Sequence, residues 1–431
     1  MSETPTETAT RPDLLEDLFW RGLVAQTTDE QAIRRALTDG PVTVYCGFDP
    51  TAPSLHFGNL VQLVVLRLLQ RAGHRVICLV GGSTGLIGDP KPTAERVLKT
   101  KEQTADNVAR IKALVQPFLD FEGANPALLV DNLDWTAPLS ALDFLRDIGK
   151  HFRVNQMIRK EAVSARLASQ EGISYTEFSY QLLQALDFLH LYREYGCVLQ
   201  TGGSDQWGNL TAGVDLVHRV AGVSVDALST PLLTDSTGAK FGKSEGNAIW
   251  LSPDMTSPYA FFQYFLNVED ASVATLLRIF SDRDRVEIGE LERAVAERPQ
   301  AREAQRALAR DVTTLVHGAE AAARVEAAGQ ALFGRGDLSG LDAATLGDAV
   351  RELPGATVAA GEHSIVDLLA ASGLVASKSA ARRAIGEGGA YLNNVKVTSE
   401  DATLGAGDLL HGRWAVLRRG RRSLAVITVG E

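Results

Sequence analysis

The stretch from Pro41 to Gly82 constrains this chain more than any other. Pro41-Val42-Thr43-Val44-Tyr45-Cys46 is apolar and rich in β-branched residues, the composition of a short buried strand. Leu60 to Arg71 is an apolar-rich run without Gly or Pro, and Gly73 follows it where a helix C-cap belongs. Arg75-Val76-Ile77-Cys78-Leu79-Val80 is a second buried strand, running into Gly81-Gly82. A strand, a helix and a strand of these lengths predict a parallel βαβ unit, and such units take ligands at the carboxyl ends of their strands and at the helix N-terminus.

The link into that helix carries the chemistry. His56 and Asn59 stand on its first turn, Gly58 bares the backbone between them, and Thr51 adds a hydroxyl. With the partial positive charge of a helix end, these groups predict a phosphate site. Neither the glycine fingerprint of dinucleotide folds nor a Walker lysine loop is present here. A plain turn at Asp49-Pro50 and a structural His56 are the competing account of the same residues.

Composition bounds the rest. A chain of 431 residues splits into two or three domains. The net charge of −10 argues against a nucleic-acid partner when taken alone. Residues 361–431, however, hold nine Lys/Arg against seven Asp/Glu, a net of +2, so the remainder carries −12. Cys46, Cys78 and Cys197 are widely separated, which indicates neither a disulfide framework nor a zinc site, and no metal site is expected. The first residues are polar and acidic, without the apolar core of a signal peptide, and no apolar run is long enough to span a bilayer. The expectation is a soluble cytoplasmic protein with no membrane partner.

Residues 1–40 are expected to form a tail and a helix, with Gly40-Pro41 breaking the helix before the first strand. From Val42 to about Thr234 strands and helices alternate, the pattern of a parallel α/β sheet. Gly81-Gly82-Ser83-Thr84-Gly85-Leu86-Ile87-Gly88-Asp89 follows the second strand, its glycines letting backbone approach a ligand and Asp89 placing a carboxylate at the end. Ser174 with Glu177 predicts a capping box for a long helix on which Tyr180, Gln184 and Asp187 share one face among Leu182, Leu183, Leu186 and Leu189. A polar stripe on a buried helix must find partners. Either Asp187 meets a core arginine, or the stripe faces a small polar substrate.

Cys197 to Thr201 is the next strand, entering Gly202-Gly203-Ser204-Asp205-Gln206-Trp207-Gly208-Asn209 and a helix. The loop Asp235 to Gly246 approaches a Walker pattern at Gly238 to Ser244, but no strand leads directly into it and no aliphatic helix follows, so that reading is rejected. Beyond Trp250 only helical segments are expected, then a hinge rich in Gly and Pro, then a small module. In that module Ser377 caps a basic helix with Lys378, Arg382 and Arg383, and Ala390 to Val397 forms a hairpin.

Tyr45 to Asn59 resembles the corresponding run of bacterial tyrosyl-tRNA synthetases, and His56-Phe57-Gly58-Asn59 resembles the HIGH signature of class I aminoacyl-tRNA synthetases, with Phe57 for an aliphatic and Asn59 for the second histidine. Gly202 to Asn209 is similar to the family's GGSDQWGN run, Lys240-Phe241-Gly242-Lys243-Ser244 to its KMSKS signature, and the end of the chain to an S4 RNA-binding domain. The likeness extends from about Leu14 to Val429.

What the resemblance implies is an α/β protein. A Rossmann-like parallel-sheet catalytic domain (41–250) is followed by an all-helical anticodon-side domain (251–335), a linker (336–360) and an α+β S4-like domain (361–431). It implies activation of L-tyrosine by ATP with Mg²⁺ as substrate, transfer to tRNA(Tyr), no tightly bound cofactor, and a homodimer with contacts near Phe144 to Phe152. Tyr45, Asp89, Tyr180, Gln184, Asp187 and Gln206 would bind tyrosine, with Tyr45 and Asp187 on its phenol. Cys46, Asp49, Thr51, His56, Gly58, Asn59, Gly202, Asp205, Lys240, Lys243 and Ser244 would bind ATP. Thr51, His56, Lys240 and Lys243 would be catalytic, Arg96 a tail contact, and Lys378, Arg382 and Arg383 would touch tRNA. Tryptophan activation and an RNA-binding protein that no longer catalyses are the alternatives.

Overall fold

The computed structural model describes residues 13–91, 96–170, 172–234, 241, 243–244, 247–334, 336–420 and 423–430. Contacts divide the chain into two compact units, Met1–Met255 with Ala271–Ile288, and Thr256–Asp270 with Gly289–Glu431.

The first unit is built on a six-stranded sheet: β1 (Gln26–Thr27), β2 (Thr43–Phe48), β3 (Arg75–Val80), β4 (Leu128–Asp131), β5 (Cys197–Gly203) and β6 (Asp226–Thr230), in the order β1-β6-β5-β2-β3-β4. β2 to β6 are mutually parallel, and β1 pairs antiparallel at the edge of β6. Residues 1–40, expected as tail and helix, therefore also donate an edge strand, between helices Leu14–Arg21 and Glu30–Asp39. A two-residue strand with no alternation to read carries no sequence signal.

From β2 the chain winds one way to β3 and β4, and the other way to β5 and β6. The order thus reverses between β2 and β5, the switch point at which open α/β sheets form their ligand crevice beyond the strands' carboxyl ends. The helix after β2 runs Phe57–Arg71 and buries Leu60, Leu63, Val64 and Leu66. Its C-cap is Ala72, with Gly73 next at φ 95°, the left-handed conformation glycine adopts without strain. The long helix spans Tyr175–Tyr195, and Phe188, Leu189 and Leu191 pack it into the core beside Tyr45, Ile77 and Leu216. Strands β7 (Lys243–Ser244) and β8 (Asn247–Ala248) form a short hairpin.

In the second unit, helices Pro258–Leu266, Glu303–His317 and Ala319–Leu332 bury Phe261, Phe265, Leu308 and Leu332. Its sheet comprises β9 (Gly355–Val358), β11 (Ala390–Leu392), β12 (Val395–Lys396), β14 (Trp414–Arg419) and β15 (Ser423–Val429), in the order β12-β11-β14-β15-β9. β10 (His363–Ser364) and β13 (Thr403–Leu404) pair separately. Residues 336–360, expected as a linker, carry the helix Ala343–Arg351 and β9, which runs parallel to β15; the sheet begins before residue 361. The glycines and proline that read as a hinge are the ends of these short elements. The hairpin turn is Asn393-Asn394, both at positive φ (46° and 68°) as a two-residue turn requires. Helices Ile365–Ala371 and Lys378–Gly386 cover the sheet through Leu369, Ile385, Leu417 and Ile427.

Candidate active site

Four clusters line the crevice of the first unit. The deepest surrounds Asp187, 2 % exposed, whose carboxylate accepts from Asn132 Nδ2 at 2.9 Å and Trp135 Nε1 at 3.0 Å. Both donors are uncharged. Burial pushes the Asp187 carboxyl up to about 8, against the two hydrogen bonds, which favour its anion. Tyr45 stands on β2 with its ring 5.3 Å from that of Phe188. Burial, and then the Asp187 charge, hold its phenol well above the ordinary range. Among the described residues the buried Tyr45 hydroxyl and Gln184 Oε1 have no hydrogen-bond partner. Trp135 stacks on His190 at 4.3 Å and 15°, closing this end.

The second cluster centres on Asp49, just past β2. Its Oδ1 accepts from Thr84 Oγ1 (2.6 Å) and its Oδ2 from the Tyr180 hydroxyl (2.8 Å). Burial raises the carboxyl to about 6, opposed by those two donors. Thr84 also accepts from Asn132 Nδ2 at 3.1 Å, which ties this cluster to the first. A side chain at Gly81 would collide with Thr84 and Asp49, and one at Gly82 with Asp131. These glycines, expected to let a ligand approach, first let the protein's own carboxylates approach.

The third cluster is Asp89, which accepts from Gln206 Nε2 (3.0 Å) and Asn209 Nδ2 (3.1 Å). Asn209 Oδ1 accepts in turn from Lys160 Nζ. Burial lowers the Lys160 ammonium to about 8, while Asp89 pulls the other way.

The fourth is the start of the helix Phe57–Arg71. His56 is its N-cap: Nδ1 accepts from Gly58 N at 3.0 Å, and Asn59 Oδ1 accepts from His56 N at 3.1 Å. The reciprocal pair is a capping box written in unusual residues. It explains Asn59, whose carbonyl is committed to the cap while its amide remains a donor. It explains Gly58 too, since a Cβ there would lie 2.9 Å from His56 Cε1. Behind the cap, Gln62 joins three strands, donating to Thr230 Oγ1 at 2.7 Å and accepting from Thr201 Oγ1 at 3.0 Å and Cys46 Sγ at 3.6 Å. Thr51 is exposed at the rim, with its carbonyl taking Lys99 Nζ at 2.6 Å. Gly202, next to last on β5, lies against Leu210, and Asp205 lies in the single turn that follows.

Tyr45, Asp49, Asp89, Tyr180, Asp187 and Gln206 are therefore joined in one group by hydrogen bonds and mutual fields. Lys240 lies outside the described residues, and Lys243 and Ser244 are described only as backbone on β7. The predicted capping box at Ser174 is half correct. Ser174 Oγ accepts from Glu177 N at 3.3 Å, but the Glu177 carboxylate turns inward to Arg166. Asn132, Trp135, Lys160 and Gln62 were not singled out from sequence. Asn132 and Trp135 had a legible signal, polar groups at the carboxyl end of a strand, whereas Lys160 and Gln62 had none.

Residues 37–334 match the family described as tRNA synthetases class I (W and Y), and residues 345–427 match the tyrosine–tRNA ligase SYY-like C-terminal domain. The chain is 62 % identical over 418 residues to a protein of Streptomyces coelicolor named tyrosine–tRNA ligase, covering 97 % of this chain and 99 % of that one. It belongs to the tyrosine–tRNA ligase family of class I synthetases. Among solved structures, a C-terminally truncated mitochondrial tyrosyl-tRNA synthetase of Aspergillus nidulans is similar with a TM-score of 0.69 and 30 % identity, over 75 % of this chain and 95 % of that one. The truncated enzyme of Coccidioides posadasii gives 0.66 and 31 %, over 74 % and 92 %. The S. coelicolor relative matches 97 % of this family member's length, against about three quarters for the two truncated structures.

Proposed function

We propose that this family member is a tyrosine–tRNA ligase whose crevice binds tyrosine phenol-inward beneath ATP. One observation carries the reading: a buried Tyr45 hydroxyl without a partner in the field of an Asp187 carboxylate held only by neutral donors. A phenolic O–H between them gives the Tyr45 hydroxyl its partner and the Asp187 carboxylate a further donor. Phenylalanine would leave the Tyr45 hydroxyl unsatisfied, a penalty of about 1–3 kcal/mol. Asp89, with Tyr180 and Gln184 nearby, takes the α-ammonium, and Gln206 reaches the same substrate.

In this reading tyrosine's carboxylate, ionised at neutral pH, attacks the α-phosphorus of Mg²⁺-ATP. The new bond is carboxyl oxygen to phosphorus; the bond to the pyrophosphate oxygen breaks and pyrophosphate leaves. No protein nucleophile or base is needed, so catalysis is positioning and charge. His56 and Asn59 serve the phosphates at the helix end, with Thr51, Lys240, Lys243 and Ser244. Cys46, Asp49, Gly58, Gly202 and Asp205 serve the nucleoside. The terminal ribose hydroxyl of tRNA(Tyr) then attacks the tyrosyl carbonyl and adenylate leaves.

The catalytic region is taken as residues 41–250 and the RNA-binding module as the C-terminal sheet domain that includes β9, in a cytoplasmic homodimer. Leu142, Leu145 and Val154, flanking and within the Phe144 to Phe152 stretch and its continuation, are 79 %, 49 % and 62 % exposed, which favours a partner surface there. No described helix is long and apolar enough to cross a membrane. The deciding experiment is ATP–pyrophosphate exchange with tyrosine, tryptophan and phenylalanine, followed by charging of total tRNA with labelled tyrosine. Exchange with tyrosine alone is expected. Exchange driven by tryptophan would replace the substrate, and silence with every amino acid would leave an RNA-binding protein.

A further inference from the structure

Arg166 and Glu177 form an ion pair, Nη1···Oε2 3.0 Å, that is almost wholly enclosed, with side chains 2 % and 1 % exposed. Taking both charges from water costs several kcal/mol, and apolar residues of similar volume often serve stability as well. The pair therefore needs an account other than stability.

Its remaining hydrogen bonds supply one. Glu177 Oε1 accepts from the backbone N–H of Arg96 at 2.8 Å, and Arg166 Nη1 donates to the Lys91 carbonyl at 3.4 Å. Arg166 Nε is anchored on the Gly172 carbonyl at 2.9 Å. Arg96 Nε then donates to the backbone carbonyl of Asp89 at 2.8 Å. Glu177 lies one turn before Tyr180 on the helix that also carries Gln184 and Asp187. The pair thus grips the backbone on the far side of Asp89 while standing on the element that presents the opposing wall.

We propose that Glu177 is a positioning residue for tyrosine: with Arg166, it sets Asp89 at its working distance from Tyr180 and Gln184. This rests on the reading of Asp89 as the ammonium acceptor. Glu177 touches no substrate. Its two oxygens face different partners, Oε1 accepting from the Arg96 amide and Oε2 forming the ion pair with the Arg166 guanidinium, and this double duty is what a buried apolar pair cannot replace.

The test uses the full-length chain. In Arg166→Met/Glu177→Leu both charges leave together, so the thermal transition is expected to stay near the native midpoint. The Arg96 amide loses its acceptor, and its hydrogen exchange should quicken. In pyrophosphate exchange kcat/KM for tyrosine falls about tenfold to a hundredfold, mainly through KM, as for a reacting group displaced by a fraction of an ångström. KM for ATP stays near native. A folded double variant with native tyrosine KM and native Arg96 protection would overturn the proposal.

Should that variant not fold, two conservative ones decide. Arg166→Met/Glu177→Gln leaves no unpaired buried charge and keeps an acceptor for the Arg96 amide at the same reach, and should hold tyrosine KM near native. Glu177→Asp keeps the charge but is too short to span both donors, and should raise it. The reverse order would mean that charge, not placement, matters, and would also overturn the proposal. Native protein inactive with tyrosine would instead sink the substrate reading, and Arg96 amide exchange would still report on the bracket.

Discussion

The floor of the crevice and the basic helix Lys378–Gly386 are both polar groups on helices, yet they treat charge in opposite ways. Asp187 is enclosed, holds only neutral donors, and neighbours a hydroxyl with no partner among the described residues. On the basic helix, Lys378 Nζ lies 2.9 Å from Asp367 Oδ1 and Arg382 Nε 3.5 Å from Glu400 Oε2, all four side chains more than half exposed. A buried group without a partner costs free energy that a ligand can recover, so its surroundings constrain that ligand. Exposed charges already neutralised by neighbours specify little. The difference ranks the two proposals: the phenol site rests on geometry, the RNA contacts on charge alone.

The sharpest way to break this contrast is Asp187→Ala. It removes the acceptor for the substrate hydroxyl and strands the Asn132 and Trp135 donors, so kcat/KM for tyrosine in pyrophosphate exchange should fall by roughly 3 kcal/mol or more, over a hundredfold. KM for ATP should move little. A loss under tenfold would place the phenol elsewhere.

Next in size is a pH effect. In the ligand-free fold Asp187 keeps its proton up to about 8 and Asp49 up to about 6, whereas in the unfolded chain both lose it near their ordinary values of about 4. The folded state therefore binds more protons across that window, and stability declines as pH rises. Asp187 alone contributes up to about 1.4 kcal/mol per pH unit between 6 and 8, and nothing further above. Urea midpoints of the native protein at pH 6 and 8.5 should show the decline, and Asp187→Asn should flatten it. Saturating tyrosine should flatten it too, because a donated phenol favours the anion. A midpoint that rises with pH in this window would contradict the environment assigned to Asp187.

Much of this site was legible before any coordinates. The βαβ unit, the polar first turn at His56 and the stripe Tyr180, Gln184 and Asp187 follow from periodicity and from the cost of burying polar groups. Partners were not legible. That Asp187 rests on Asn132 and Trp135, that Asn59 closes a capping box, or that Glu177 leaves its own helix for Arg166 depends on which strand ends lie side by side, and no local pattern encodes that. The same limit hid β1 and β9, short strands that exist only because an edge of a sheet is there to receive them.

Tyr45→Phe is a smaller perturbation that separates ligand-free cost from ligand-bound gain. Removing a buried hydroxyl that lacks a partner should stabilise the free protein by about 1 kcal/mol, while tyrosine KM rises by a similar free energy, about fivefold to tenfold. Opposite signs in the two measurements are the signature of a group kept for its ligand. If the free protein were instead destabilised, Tyr45 would belong to the core alone.

The smallest effect should come from the basic helix, and it tests the other side of the contrast. Lys378→Met and Arg382→Met each break an exposed ion pair worth about 0–1 kcal/mol, so the thermal midpoint should barely move. If Asp367 and Glu400 neutralise these cations in the complex as well, KM for tRNA in aminoacylation changes less than about threefold, a shift of about 0.65 kcal/mol. Arg383, exposed on the same helix, should then be the more sensitive position, and its substitution should weaken the salt dependence of tRNA binding. A large KM effect at Lys378 or Arg382 would mean that RNA displaces Asp367 and Glu400 from their cations, and a surface charge pair would then be as informative about its ligand as the buried floor.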